Sequence, residues 1–127
     1  MDERAAVVTI GGTEYGMLLT TRATKEIAGR YGGLEDLGEK LMKSENFEMA
    51  LDEIVWLITL LCNQPILVHN LKNPQEKKPE LTAGEVELLT SPLELAGYKN
   101  AIMEAMYKGT KRHIQSEEET GKNGAVG

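Results

Sequence analysis

Cysteine, histidine and aromatic side chains are scarce in this sequence, positive charge is outnumbered by negative, and each shortage excludes something. Of 127 residues, one is cysteine, Cys62, so no intramolecular disulfide can form and a reducing compartment is the natural reading. The two histidines, His69 and His113, lie far apart, and neither has a second His or Cys at i, i+4. A zinc site wants three or four such ligands. Only 5% of residues are aromatic, which leaves aliphatic and methionine side chains to fill a core. The formal net charge is -6, which argues against non-specific binding to nucleic acid or to an anionic membrane. The longest apolar run, "IVWLITLLC" from Ile54 to Cys62, is broken only by Thr59 and is far short of the ~20 residues that span a bilayer. The opening "MDERAAVV" lacks a basic region followed by an apolar stretch, so no signal peptide is expected. The length suits a single domain.

What is present begins with glycine. "AVVTIGGTEYGML" leads a β-prone run into Gly11-Gly12, with Gly16 close behind. Gly11 and Gly16 have the first spacing of a phosphate-binding loop, but Met17 and Leu18 stand where that loop requires Lys and a hydroxyl. A dinucleotide fingerprint is absent too, and the residues after Gly16 alternate as a strand does. A hairpin over residues 5–19 is the better reading, with Ile10 opposite Thr13, Val8 opposite Tyr15 and Ala6 opposite Met17. Ala6, Val8, Ile10, Tyr15 and Met17 then share the face suited to a core. Thr9 and Glu14 share the other, with Val7 and Leu18.

Helical signals fill the rest, so the expected fold is α+β and mainly α: an N-terminal β-hairpin, then four to five helices around a central apolar one. Thr20 or Thr21 caps a helix over about 21–31, closed by Gly32-Gly33. Leu34, Leu37 and Leu41 form the stripe of a short helix over 34–43. The strongest pattern lies in 46–63, where Phe47, Leu51, Ile54, Ile58 and Leu61 repeat every three or four residues. Val55, Trp56, Leu57, Leu60 and Cys62 make this helix apolar nearly all round, as in a core or a subunit interface. Pro65 is expected to end or kink it near Asn63, with "ILVHNL" continuing either as a kinked extension or as a short separate turn. "KNPQEKKPE" reads as a loop. Thr82 with Glu85, and Ser91 with Pro92 and Glu94, cap helices over 83–90 and 92–114. Residues 1–115 form the expected globular domain, and 116–127, "SEEETGKNGAVG", an expected disordered tail.

No spacing points to catalysis. Cys62 sits within "LITLLCN" and reads as a buried, inert thiol. Ser44, Ser91 and Ser116 read as cap, cap and tail, and none lies in a nucleophile elbow. Lys111, Arg112 and His113 suit the C-terminal end of a helix dipole. Carboxylates such as those of "GLEDLGEK" occupy polar helix faces. No cofactor or metal is expected. In the last helix Leu95, Tyr98, Ile102 and Met106 form a core stripe, with Met103 and Tyr107 to one side. Methionine adapts to varied partners, so Met103, Met106 and Tyr107 are the candidate partner-binding residues, with simple core filling as the competing reading.

Taken in order, "VTIGGTEYGMLLTTRATKEIAGRYGGLEDL" resembles the start of the small tail assembly chaperones of tailed phages and prophages of Gram-positive bacteria. The shared features are the "GG-x-E-Y" turn, the "TT-x-A" helix entry and the "YGGLE-L" junction. The likeness continues more loosely through the helix around Trp56 to about residue 115. It implies a non-enzymatic protein of the bacterial host cytoplasm, absent from the mature virion. Such a protein binds the tape-measure protein, keeps it soluble and promotes tail-tube polymerisation around it, with the tail-tube protein as a further partner. Self-association is also expected, given the apolar third helix. The family often makes a longer product by frameshifting, and "TGKN" at Thr120–Asn123 is compatible with a slippery heptamer. A structural tail connector or completion protein is the alternative. A small helical regulator is a further one, opposed by the net charge despite the locally basic "YKGTKRH".

Overall fold

The computed structural model describes the backbone of residues 5–33 and 47–126, and the side chains of residues 6–33 and 51–109. The chain is α+β and mainly α: an N-terminal two-stranded antiparallel hairpin followed by helices set around a central apolar one. Strands β1 (Ala5–Ile10) and β2 (Thr13–Leu18) pair in the register read from the sequence, Ile10 with Thr13, Val8 with Tyr15 and Ala6 with Met17. Gly11 and Gly12 have φ of 58° and 83°, the left-handed pair that a two-residue hairpin loop demands. Ala6, Val8, Ile10 and Met17 point into the core. Leu18 is buried as well, although alternation assigns it to the opposite face.

Helix α1 (Thr21–Tyr31) starts on the Thr20 cap, whose Oγ1 accepts from the Ala23 N–H at 3.1 Å. It stops at Gly32, which has φ 94° and donates its N–H to the Ala28 carbonyl. The helix expected over 34–43 lies outside the described residues. Helix α2 (Phe47–Lys72) is the centre. Ile54, Leu57, Ile58, Leu61 and Cys62 are buried, and β2, α1, helix α3 (Ala83–Leu89) and helix α4 (Pro92–Val126) all pack on α2. Its segment Leu51–Lys72 is long and apolar enough to cross a membrane, with mean hydropathy 1.5, a measure that the core helix of a water-soluble domain also meets.

Pro65 neither ends α2 nor stops it near Asn63: the helix continues for seven residues to Lys72. Proline forfeits the bond to the carbonyl four residues back, at about 3 kcal/mol. Tertiary contacts outweigh that loss here. Strand β2 passes the ring at Gly16, where a Cβ would lie 3.7 Å from Pro65 Cγ. The turns beyond Pro65 are held by side-chain bonds to the segment that follows. Asn70 donates to the Lys78 carbonyl at 2.9 Å and accepts from its N–H at 2.8 Å. Asn63 does the same to Leu81, both at 2.7 Å. His69 Nε2–H donates to the Glu76 carbonyl at 2.9 Å, and Asn73 Nδ2 donates to the His69 carbonyl at 2.9 Å.

These bonds turn the expected loop into a strap. Asn63 and Asn70 are seven residues apart, two turns on one face of α2, a rise of ~10.5 Å. Lys78 and Leu81 are three apart, ~10 Å of extended chain. The two lengths match, so each amide grips one backbone residue as a neighbouring strand would. Asn63 is 9% exposed, so its amide and the Leu81 backbone depend on each other.

The strap delivers the chain to α3, which opens with a full capping box: Glu85 N–H donates to Thr82 Oγ1 and Thr82 N–H to Glu85 Oε1. Helix α4 opens likewise on Ser91 and Glu94. The Tyr98 hydroxyl donates to the Thr9 carbonyl and so ties α4 to β1. Burial, followed by the neighbouring Glu94 carboxylate, raises the Tyr98 pKa above its ordinary value of 10.0 and so keeps that donor protonated. The backbone of α4 runs on to Val126, past the expected end near residue 114 and through the segment expected as a disordered tail. Gln115, Glu117, Glu118, Glu119 and Lys122 favour helix and no proline intervenes, although Gly121 and Gly124 oppose it, and Ser116, Thr120 and Asn123 do so more weakly.

Two pairs of substitutions test this packing by urea unfolding. Asn63→Ala should cost about 2–4 kcal/mol, because it orphans buried backbone groups, while the exposed clamp loses about 1 kcal/mol or less in Asn70→Ala. Equal losses would refute the burial difference. At Gly97 a Cβ meets nothing within 4 Å, so Gly97→Ala should stabilise by about 0.5–1 kcal/mol. At Gly109 a Cβ would lie 2.9 Å from Leu19 Cδ2 and 3.0 Å from Leu19 Cβ, so Gly109→Ala should destabilise despite the same helix gain.

Candidate functional site

The residue types that most often carry chemistry have structural tasks here. Cys62 is 1% exposed, and burial pushes its thiol up from 9.0 to about 12, so no thiolate forms near neutral pH. The Gly11-Gly12 turn has Leu89 against it, and the positions where a phosphate loop would place its Lys and hydroxyl hold the buried Met17 and Leu18. His69 is engaged in the strap and Ser91 in a cap. Among the described residues no group of His, Cys, Asp and Glu has the geometry of a metal site. The side chain of His113 lies outside the described residues.

The three partner-binding candidates do not form one surface. Met106 is 7% exposed and belongs to the core with Ile102 and Ala105. Met103 is half-buried and packs against that core. Tyr107 points outward, 63% exposed. Helix geometry explains the split, since 103 and 107 share one face while 106 stands about 100° from 107. Met106 therefore serves packing, and of the three only Tyr107 stands well exposed on α4.

Two apolar surfaces escape a reading based on stripes alone. One surrounds the joint between α3 and α4. Leu88 is 89% exposed and Leu93 84%, and the half-exposed Leu89 lies over the hairpin turn at Gly11. A helix of two turns buries only one stripe, and α3 buries Val86. Leu93 precedes the buried Leu95 by two positions, which puts it on the far side of α4. That offset was a legible signal in "SPLELAGY".

The second surface is a groove of about 470 Å³ beside the C-terminal half of α2. Leu67 and Val68 are half-buried in it, and Leu71, 82% exposed, stands at its edge. Arg22 from α1 and Lys77 from the strap also line it, with no carboxylate among the lining residues. Gln64 and Thr20 lie at its end, bonded to each other and so satisfied. The groove exists because α2 continues beyond Pro65 to carry Leu67, Val68 and Leu71.

Substitutions separate core from surface. Met106→Glu should abolish the helical circular dichroism by burying a carboxylate. Leu93→Glu should leave the spectrum unchanged and the unfolding free energy within about 0.5 kcal/mol. For Cys62 the folded chain should resist a thiol reagent at pH 8 and react once denatured. Its thiol holds its proton more tightly folded than unfolded. The stability it contributes is therefore complete below pH 9 and lost as pH rises toward 12. Cys62→Ala should flatten that alkaline loss.

Comparison with known proteins assigns neither surface: no family model matches the chain, and no curated protein or solved structure matches it.

Proposed function

We propose that this chain is a tail assembly chaperone, which binds the tape-measure protein, keeps it soluble and promotes polymerisation of the tail tube around it. The observation that carries this reading is the set of large apolar side chains left outward on a chain of net charge -6: Leu71, Leu88, Leu93 and Tyr107. A single exposed leucine is ordinary. Leu88 and Leu93 flank one joint at nearly full exposure, and such a cluster marks a contact surface. A tape-measure protein is a long helix whose apolar stripes need cover until the tube encloses them. Exposed leucines on an acidic, well-folded body supply that cover by helix packing, while the body's charge keeps the pair in solution.

The likeness of "VTIGGTEYGMLLTTRATKEIAGRYGGLEDL" to these chaperones supports the same reading. Its distinctive residues hold fold-building positions here, with Gly11-Gly12 in the turn, Thr20 at the cap and Gly32 at the helix stop. The motif thus specifies a scaffold, and the outward leucines are what the scaffold presents.

Co-expression with the long coiled-coil product of the neighbouring gene tests the proposal. The partner should move from pellet to supernatant and co-purify with this chain. A partner that precipitates regardless refutes the reading. Mass spectrometry of purified virions should find the chain missing, whereas stoichiometric presence would identify a connector instead.

A further inference from the structure

The two apolar surfaces complement each other. The α3–α4 joint projects Leu88 and Leu93, with the exposed carboxylates Glu87 and Glu94 beside them. The groove along α2 is floored by Leu67 and Val68 and lined by the cations Arg22 and Lys77. Among the described residues neither cation forms an ion pair, although the chain as a whole has 20 acidic residues against 14 Lys and Arg. One surface is thus apolar with acidic flanks and the other apolar with basic flanks.

A chain cannot close this contact on itself. Leu89, next to Leu88, lies at Gly11, just before β2, and Thr20, just after β2, lines the groove. The six residues of β2 hold the two surfaces about 20 Å apart. We propose that the Leu88–Leu93 joint of one copy docks in the Arg22–Lys77 groove of a second copy. Leucine side chains enter the groove beside Leu67 and Leu71, and Glu87 comes within reach of the cations. Leu71 argues for a macromolecular occupant over a small amphiphile. At 82% exposed on the rim, it is covered only by something that extends past the groove. The contact is heterologous, patch to groove, so each copy keeps one unused half unless a ring or a reciprocal pair closes it.

Sedimentation of the purified full chain tests this without any partner. Wild type should associate with rising concentration, and added salt should weaken the association by screening the charges. Leu88→Ser with Leu93→Ser removes the patch and should give a monomer. Arg22→Glu with Lys77→Glu reverses the groove and should also give a monomer. All four side chains are exposed, so circular dichroism should match wild type. The deciding step mixes the two variants. The patch variant retains its groove and the groove variant its patch, so together they should form a one-to-one dimer and nothing larger.

Three results would overturn the proposal. The first is a wild type that stays monomeric up to about 1 mM, which leaves no association of useful affinity. The second is association that survives the groove reversal but not the leucine changes, which would show that the patch pairs with itself. The third is a mixture of the two variants that stays monomeric.

Discussion

A helix of 26 residues with apolar side chains on almost every face must be covered, and covering α2 is the constraint that places every other element. Chain order narrows the ways this can be done. The hairpin comes first and lays one face of β2 along α2, α1 crosses nearby, and α3 and α4 return over what remains. The cover is mostly aliphatic, as the shortage of aromatics requires. Among the described residues, polar groups enter the interior only where they are hydrogen-bonded, as at Asn63 and Gln64. Near the start of α2 the cover is polar and aromatic. Arg30 lies 4.4 Å from the Trp56 ring centroid and pairs with Glu53 at 3.2 Å.

Where local chemistry decided the structure, the sequence was legible. Two glycines permit a two-residue turn, and that turn sets the register of the whole hairpin. Thr82-Glu85 and Ser91-Glu94 announce two helix starts because a capping box is closed by residues three apart. Legibility failed where distant residues decided. Pro65 breaks a helix in isolation, but Gly16 and the Asn70 clamp come from elsewhere in the chain, so no local rule weighs them. Met106 was legible as core from the stripe it shares with Ile102, whereas its chemical adaptability, which made it a partner-binding candidate, says nothing about which way it points. The end of α4 shows the opposite bias, since a segment with few apolar residues reads as a tail although its side chains favour helix.

The candidate surfaces follow the same division. The exposure of Tyr107 was legible because it lies off a clear stripe. Leu88 lies at the end of α3 and Leu93 at the start of α4, and the caps of these two helices say nothing about either side chain. A cap accounts for the backbone and leaves open where the next leucine points. The groove was invisible because it lies where α1 and the strap meet the end of α2, three segments brought together only in three dimensions. If its own groove covers the joint between copies, a helical partner must displace that cover to bind, and the two contacts compete for the same leucines.

The strap along α2 behaves as a ruler. Its two clamps agree only because two turns of helix equal three steps of extended chain. One residue inserted between Lys78 and Leu81 would add about 3.4 Å and force one clamp open. The stretch from Asn73 to Lys77 is pinned as well, through the Glu76 carbonyl on His69, but by a turn rather than by a matched length. The matched length between Lys78 and Leu81 sets where α3 begins.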